Sequence, residues 1–508
     1  MTPIYTLRKN FTSLPLVFLV FSVACGLMFT LAIYAVFIEN FREARVFFYT
    51  CLTGFLIFVL VNLATSNRNL KENGTTQIIS LILLFLLLPL FLAIPNWIIL
   101  QNVSFTDVYF DMVSAFTTTG LPVFNDNFLS KPLHLWRALI AWFGGCLIWI
   151  AAFVILLPAS RGGFDDFSSK KVNPRSNRNL TLNERSETLI KVSQKLIPIY
   201  ISLTIVLWCA LTSLGTDGYT SLIRALSILS TSGISGPEKF ETDGAGFLGE
   251  LVVAVFLLLA LSHTIFYSLD NKAKLKKILI DRELRLGLSI VMGATLLLFI
   301  KDMSHLNSLL NFKEAILSGF KLFWGSFFTV FSFITTNGYV SAYWDANSLY
   351  LDNPHVIIIM LGLCLFGGGL ATTAGGIKLL RISILLSAFS DETDKLLHPS
   401  SIVGTKSSLK AFGNSVFMAW IFFMLFLVSL ALVTTILTVF GILFEDAIIL
   451  AVACLTTTGP IIELIGPNSL LTLDLSYFLK IVLVVSMVIG RLEILVALSL
   501  ITFAFRRD

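Results

Sequence analysis

Four short polar stretches interrupt this otherwise apolar chain at near-equal spacing: Thr117-Thr118-Thr119-Gly120, Ser230-Thr231-Ser232-Gly233, Thr335-Thr336-Asn337-Gly338 and Thr456-Thr457-Thr458-Gly459. Each lies in a break between two long apolar segments, so a unit of span, short helix, Thr/Gly stretch and span recurs four times. One such stretch reads as an ordinary interhelical turn, because short motifs carry little weight singly. Four in register constrain the fold far more. If all re-enter a membrane from the same side, four sets of backbone carbonyls surround one axis and replace the water around a dehydrated cation. Glycine permits positive φ, so successive carbonyls can turn toward that axis without a Cβ clash. The threonine hydroxyls add oxygen ligands at the mouth. The residues alone leave two readings open, a cation pore and a set of interhelical turns.

Composition settles the solvent. With 56% hydrophobic and only 13% charged residues, against about 25% charged in a soluble globule, the chain is a polytopic membrane protein. Apolar runs of about 20 residues, long enough for the hydrocarbon core, lie at 14–38, 46–66, 77–100, 134–158, 195–214, 247–269, 285–301, 355–389, 411–441 and 475–505. The first is too long for a cleaved signal and reads as an uncleaved span. Basic residues concentrate in 159–195, 270–285 and 378–410, which the positive-inside rule assigns to the cytoplasm. An even number of spans puts both termini on one side, and Arg8, Lys9, Arg506 and Arg507 make that side cytoplasmic. Asp126, Glu238, Glu241, Asp243, Asp345, Asp352 and Asp474 flank the Thr/Gly stretches and face out. They form either a cation-concentrating vestibule or a scatter of solvated acids.

The expected fold is an all-α polytopic membrane protein, with a two-helix N-terminal hairpin and four helix–pore-loop–helix repeats around one pseudo-fourfold pore. Residues 1–75 form the accessory hairpin, 76–160 repeat 1, 161–270 repeat 2 with a basic lead-in, 271–390 repeat 3 with a broken helix, and 391–508 repeat 4. Short pore helices are expected from Ser104 to Thr117 and over 217–230, 311–334 and 444–456. In the first, Asp107 and Asp111 sit near the amino end, where negative charge suits the helix dipole. Its carboxyl end carries partial negative charge toward the Thr/Gly stretch.

Other chemistries find little footing. The six cysteines form no C-x-x-C pair and read as packing residues. His134, His263, His305, His355 and His398 lack metal-ligand spacing, and the acid pairs Asp165-Asp166 and Glu445-Asp446 lack catalytic partners. No enzyme activity and no bound cofactor are expected. Gly367-Gly368-Gly369 runs into Leu370-Ala371-Thr372-Thr373 and has no Walker pattern, so nucleotide sensing would come from another chain. The net charge of +5 follows from topology and calls for no nucleic acid.

Two features inside the apolar segments carry function. From His355 about 12 residues run to Phe366, too few for a bilayer core of about 30 Å. Glycines and a Thr/Ala/Gly run then interrupt the segment, and such a break must be buried in protein or line a cavity. It reads equally as a gating element and as a glycine-mediated helix contact. Arg491 stands about halfway along its span, where a charge costs at least about 2.5–3.5 kcal/mol unless paired or hydrated. Glu493, two positions on, points to a different helix face. Arg491 is therefore free to project elsewhere, and an ion pair with a carboxylate on another helix is one way to settle it. Lys378 either has a related role or snorkels to the interface.

The motifs together resemble the TrkH/KtrB/HKT superfamily of potassium transporters, in particular its TrkH branch, which has the extra amino-terminal hairpin. Leu135-Trp136-Arg137, Trp142-Phe143-Gly144-Gly145 and Pro158 resemble the first outer helix. Phe366-Gly367-Gly368-Gly369 through Thr372-Thr373-Ala374-Gly375-Gly376-Ile377-Lys378 resemble the third-repeat gate. Leu397-His398-Pro399 resembles the following linker, and Gly490-Arg491-Leu492-Glu493 the last helix. The resemblance implies a potassium-binding filter at Thr118, Thr119, Gly120, Thr231, Ser232, Gly233, Thr336, Asn337, Gly338, Thr457, Thr458 and Gly459. It implies an intramembrane gate at Gly367 to Gly369, Thr372 to Gly376 and Lys378, with Arg491 in the pore beneath the filter. A serine at the first filter glycine is associated with sodium transport, and all four positions here are glycine, which favours potassium. Departures from the family pattern are local: Leu121, Ile234, Tyr339 and Pro460 where Gly-Phe is common, and Thr372-Thr373 where Ser-Thr is usual. Ser232 and Asn337 precede their glycines. These bear on ion preference and gate kinetics. Also implied are a homodimer with one pore per chain, a cytosolic nucleotide-binding regulatory subunit of the TrkA/KtrA type docking on the basic loops, and a bacterial inner-membrane location. The alternative is transport coupled to sodium or protons, for which Glu493 is the nearest intramembrane acid.

Overall fold

A computed structural model describes residues 16–65, 74–124, 128–152, 182–236, 246–262, 281–306, 312–344, 354–370, 372–398, 406–463 and 475–492. The chain begins with α1 (Leu16–Phe37) and α2 (Phe41–Thr65). The first unit is α3 (Gly74–Ile99), α4 (Phe105–Phe116) and α5 (Lys131–Ala151), and the second α6 (Leu182–Ser213), α7 (Gly218–Ser230) and α8 (Gly246–Leu261). The third is α9 (Arg282–Leu306), α10 (Phe312–Ile334), α11 (Pro354–Leu365), the two-residue strands β1 (Phe366–Gly367) and β2 (Ile377–Lys378), and α12 (Leu379–Leu397). The fourth is α13 (Lys406–Val439), α14 (Phe444–Thr456), a 3-10 turn (Gly459–Ile462) and α15 (Tyr477–Leu492).

Among the described residues seven helices are long and apolar enough to cross a membrane, against ten expected spans. The difference has two sources. The expected span 355–389 is interrupted: α11 stops after 12 residues at the strand pair. Helices α8 and α15 have 16 described residues each, and 263–280 and 493–508 lie outside the described set. The first, second and fourth short helices have 12, 13 and 13 residues, roughly 20 Å at about 1.5 Å per residue, so they enter a bilayer without spanning it. The third, α10, has 23 residues.

Local sequence explains the helix starts. Ser104 caps α4 by accepting from Asp107 N–H at 3.2 Å and donating to its Oδ2 at 2.6 Å. Asp217 caps α7 through Tyr219 N–H. Glu445 and Asp446 in the first turn of α14 suit its dipole. Burial sorts the spans into inner and outer: the most apolar stretch of Lys131–Ala151 is 83% buried, while those of Phe41–Ala64, Val192–Ser213 and Ser415–Val439 are 22% buried each. Because lipid tails are as apolar as leucine, close packing rather than hydrophobic transfer holds such helices together. The α1–α2 hairpin docks this way, with Phe21 against Phe91 at 4.8 Å and Phe47 edge-on to Trp136 at 5.7 Å.

Several expectations fall on undescribed residues. The acids Asp126, Glu238, Glu241, Asp243, Asp345, Asp352 and Asp474, the terminal basic residues, Asp165-Asp166, Glu493, Pro158, Pro399, Ala371 and His263 all lie outside the described set.

Candidate conduction site

The four Thr/Gly stretches adopt closely matching backbones. Their second residues, Thr118, Thr231, Thr336 and Thr457, have φ of 58, 54, 58 and 55°. A β-branched residue in the left-handed region costs on the order of 1–3 kcal/mol and persists only where the surroundings over-determine it. That it recurs at four equivalent positions marks one shared design. The first residue of each stretch returns its hydroxyl to the carbonyl four residues back: Thr117 to Val113 at 2.8 Å, Ser230 to Leu226 at 2.9 Å, Thr335 to Phe331 at 3.0 Å and Thr456 to Val452 at 2.8 Å. All four helices end at the stretch, α4 and α10 one residue before it and α7 and α14 on its first residue.

The glycines close the ring. A Cβ on Gly120 would overlap the Ser232 carbonyl oxygen, and one on Gly233 the Asn337 carbonyl oxygen. On Gly338 it would stand 2.8 Å from Pro460 Cβ, and on Gly459 2.6 Å from the Thr119 carbonyl oxygen. The contacts run from the first loop to the second, third, fourth and back to the first. Four loops in cyclic contact enclose one common axis, and a side chain at any of the four glycines would force a neighbour to shift.

The fourth loop departs from the others in a correlated way. In the first and third, the residue after glycine donates its N–H to a serine hydroxyl, Leu121 to Ser114 at 2.7 Å and Tyr339 to Ser332 at 2.6 Å. The fourth has Ala453 at the serine position and Pro460, which has no N–H, after the glycine. Gly120, Gly233 and Gly338 have φ of 69, 65 and 79°, whereas Gly459 opens a 3-10 turn and donates to Thr119 O at 2.7 Å. The third loop differs in its side chains. Thr119, Ser232 and Thr458 pair with the hydroxyl two residues before them at 2.8, 3.1 and 3.1 Å. Asn337 is fully buried and its carboxamide makes no hydrogen bond among the described residues.

Buried ion pairs back the first loop. Arg137 on α5 pairs with Asp111 on α4 at 2.9 Å and donates to Leu121 O at 2.8 Å, joining helix and loop exit. Lys480 on α15 pairs with Asp107 at 2.5 Å. From the sequence the two acids read as dipole partners only. Their spacing of four places both acids on one helix face, a hint of shared burial that names no partner.

Against the ring packs the broken segment of the third unit. Strands β1 and β2 pair in parallel, Phe366 with Ile377 and Gly367 with Lys378, so Gly368 to Leu370 and Thr372 to Gly376 belong to a loop closed at its neck. Gly369 N–H donates to Ala260 O at 3.0 Å and Leu370 N–H to Glu283 Oε1 at 3.2 Å, while Thr372 Oγ1 caps Gly369 O at 2.8 Å. The tip touches the Thr/Gly loops. Thr373 O accepts from Thr231 Oγ1 at 2.8 Å, Thr373 Oγ1 donates to Leu229 O at 3.2 Å, and Gly375 N–H donates to Thr336 Oγ1 at 3.0 Å. A Cβ on Gly375 would overlap the Thr456 carbonyl oxygen. Arg491, 5% exposed, donates from Nη1 to Thr373 O at 2.5 Å. Lys378 is buried and folds its ammonium back onto Ala374 O, so it does not snorkel. The twelve Thr/Gly residues, the loop and Arg491 thus form one contiguous cluster.

The whole chain carries this arrangement into a known group. It matches the cation transport protein family TrkH over residues 43–506. The Trk system potassium uptake protein TrkH of Escherichia coli K12 is 26% identical over 419 residues, covering 80% of each chain. TrkG, named likewise, from the same organism is 26% identical over 475 residues, covering 92% of this chain and 93% of TrkG. In fold the chain superimposes on the crystal structure of the potassium transporter TrkH from Vibrio parahaemolyticus with a TM-score of 0.78 and 23% identity, covering 96% of this chain and 98% of that one. The chain is a multi-pass membrane protein and belongs to the TrkH family of cation transport proteins.

Proposed function

We propose that this chain takes up potassium across the bacterial inner membrane through a filter built from Thr118 to Gly120, Thr231 to Gly233, Thr336 to Gly338 and Thr457 to Gly459. The observation that carries the reading is the cyclic contact of the four loops at their glycines. Backbone carbonyls held around such a ring can exchange with the hydration shell of a cation. The carboxyl ends of the four short helices lead into the same ring and add partial negative charge. Relatives aligned over 80% and 92% of this chain carry the name potassium uptake protein, which favours that ion.

The loop from Gly367 to Lys378 is the gate and Arg491 its latch. The gate occupies two of the four second-position threonine hydroxyls, those of Thr231 and Thr336. The hydroxyls of Thr118 and Thr457 make no hydrogen bond among the described residues. An ion leaving the ring inward would meet that loop and the Arg491 charge, so conduction requires the loop to withdraw from the threonines. A homodimer with one pore per chain and a cytosolic nucleotide-binding subunit of the TrkA/KtrA type complete the proposed assembly. The chain is a transporter, with no catalytic site assigned to it.

The test is purified chain in liposomes, with rubidium and sodium uptake measured under an imposed membrane potential. Potential-driven rubidium flux exceeding sodium flux is expected. Flux that appears only with a sodium or proton gradient would replace the uncoupled reading with a coupled one.

A further inference from the structure

Helix α8 begins beyond the exit of the second Thr/Gly loop, and about one turn into it stands a carboxylate that none of the features above uses. Glu250 is 1% exposed. Its Oε1 accepts from Ala342 N–H at 2.7 Å and from the Ser341 hydroxyl at 2.8 Å. Its Oε2 accepts from the Trp324 indole N–H at 2.6 Å and lies 2.8 Å from the same hydroxyl. Trp324 belongs to α10, while Ser341 and Ala342 follow Gly338 on the outgoing limb of the third loop. One side chain of the second unit therefore holds the short helix and the loop exit of the third.

Its surroundings are fixed. The Trp324 ring stands 4.5 Å from Phe247 and 5.8 Å from Phe327. Ser341 N–H donates to Thr329 Oγ1 at 3.2 Å, and a Cβ on Gly325 would lie 2.6 Å from Tyr343 O. Tyr339 reaches from the third loop to Ile234 O of the second at 3.0 Å, so a shift of one loop moves the other.

Burying a carboxylate is costly unless its oxygens are hydrogen-bonded, and an apolar residue would join α8 to α10 without that cost. Backbone and indole N–H groups only donate, so each oxygen of Glu250 faces an obligatory donor and the group serves as an acceptor on both sides. Charge-assisted bonds are shorter and roughly twice as strong as neutral ones. What the carboxylate adds beyond packing is a fixed position for Ser341 and Ala342. We infer that Glu250 is a positioning residue for the third pore loop, setting where Thr336 to Gly338 stand in the ring and so which cation the ring accepts. The inference rests on the four loops being the filter.

The full chain is reconstituted in liposomes and rubidium and sodium uptake are compared for wild type, Glu250→Gln, Trp324→Phe and the double variant, with Gly338→Ser as the filter control. Glu250→Gln keeps the shape but sets an NH2 group against an N–H donor. It is expected to lower the rubidium-to-sodium ratio by about tenfold, equivalent to about 1.4 kcal/mol of discrimination. Trp324→Phe alone shifts the ratio less. The double variant recovers most of it, because the amide nitrogen then faces the space the indole N–H has left while the amide oxygen keeps Ala342. An unchanged ratio in Glu250→Gln, or a double variant no better than that single one, overturns the inference. If Gly338→Ser changes the ratio and Glu250→Gln does not, only the role of Glu250 falls; if Gly338→Ser has no effect, the filter reading falls with it. Should Glu250→Gln fail to purify, Ser341→Ala removes the donor shared by both oxygens and is read the same way.

Discussion

Arg491 donates to the carbonyl oxygen of Thr373 at 2.5 Å, and the same oxygen accepts from the hydroxyl of Thr231 at 2.8 Å. One carbonyl thus links a charge on the last described helix, the loop of the third unit and the Thr/Gly stretch of the second. A hydrogen bond to a charged group contributes about 1.5–3 kcal/mol. Arg491→Ala removes both that bond and a buried positive charge beside the loop that touches the ring, so potential-driven rubidium flux into liposomes should rise roughly tenfold or more. Lower flux from protein with an unchanged gel-filtration profile would make Arg491 a structural residue rather than a latch.

Gly338 is the most informative of the ring glycines to substitute. A side chain there meets Pro460 Cβ and Cγ at 2.8 and 3.1 Å, whereas at Gly120 or Gly233 it overlaps a backbone carbonyl. With φ of 79°, any L-residue is also strained by about 1–3 kcal/mol. Gly338→Ser should leave a folded protein with a reduced rubidium-to-sodium uptake ratio. Equal ratios in variant and wild type would remove the third loop from the filter.

Much of this was legible because it is periodic. The start and end of α4, α7, α10 and α14 follow from apolar runs bounded by Thr/Gly stretches, and the break after Leu365 follows from Gly367-Gly368-Gly369 in a segment too short to span. What stayed hidden is pairwise. Nothing in the chain order brings Asp107 to Lys480 or Asp111 to Arg137, because each partner is a basic residue in a separate apolar run. Glu250 stands in the sequence as a single acid near the start of an apolar span. Its meaning lies in Trp324 and Ala342, far along the chain, and donors on a backbone N–H or an indole leave no charge pattern to read.

The Asp111–Arg137 pair offers a thermodynamic test. Removing one member of a buried pair strands the other and costs about 3–5 kcal/mol, whereas replacing both with apolar residues is often neutral or stabilising. Arg137→Leu and Asp111→Leu should each lower the thermal midpoint of detergent-solubilised protein strongly, and the double variant should recover much of the loss. Arg137 also holds Leu121 O, so ion selectivity should recover less than stability. Full recovery of both would mean that the Leu121 bond does not position the first loop.

The exchange of serine for alanine at 453 and of an N–H residue for Pro460 belongs to one design. In the first loop the Ser114 hydroxyl accepts the N–H that follows the glycine, and in the third Ser332 does the same. The fourth loop has neither donor nor acceptor there. Pro460→Leu alone would create an N–H with no serine beneath it, and a buried unsatisfied donor costs about 1–3 kcal/mol. It would also remove the ring atoms packed beside Gly233 and Gly338. Adding Ala453→Ser supplies the acceptor and should return most of the stability while leaving the glycine contacts loose. The double variant should therefore melt close to wild type yet transport rubidium with less preference over sodium. A double variant as unstable as Pro460→Leu alone would show that the proline is kept for its ring contacts and not for its missing hydrogen.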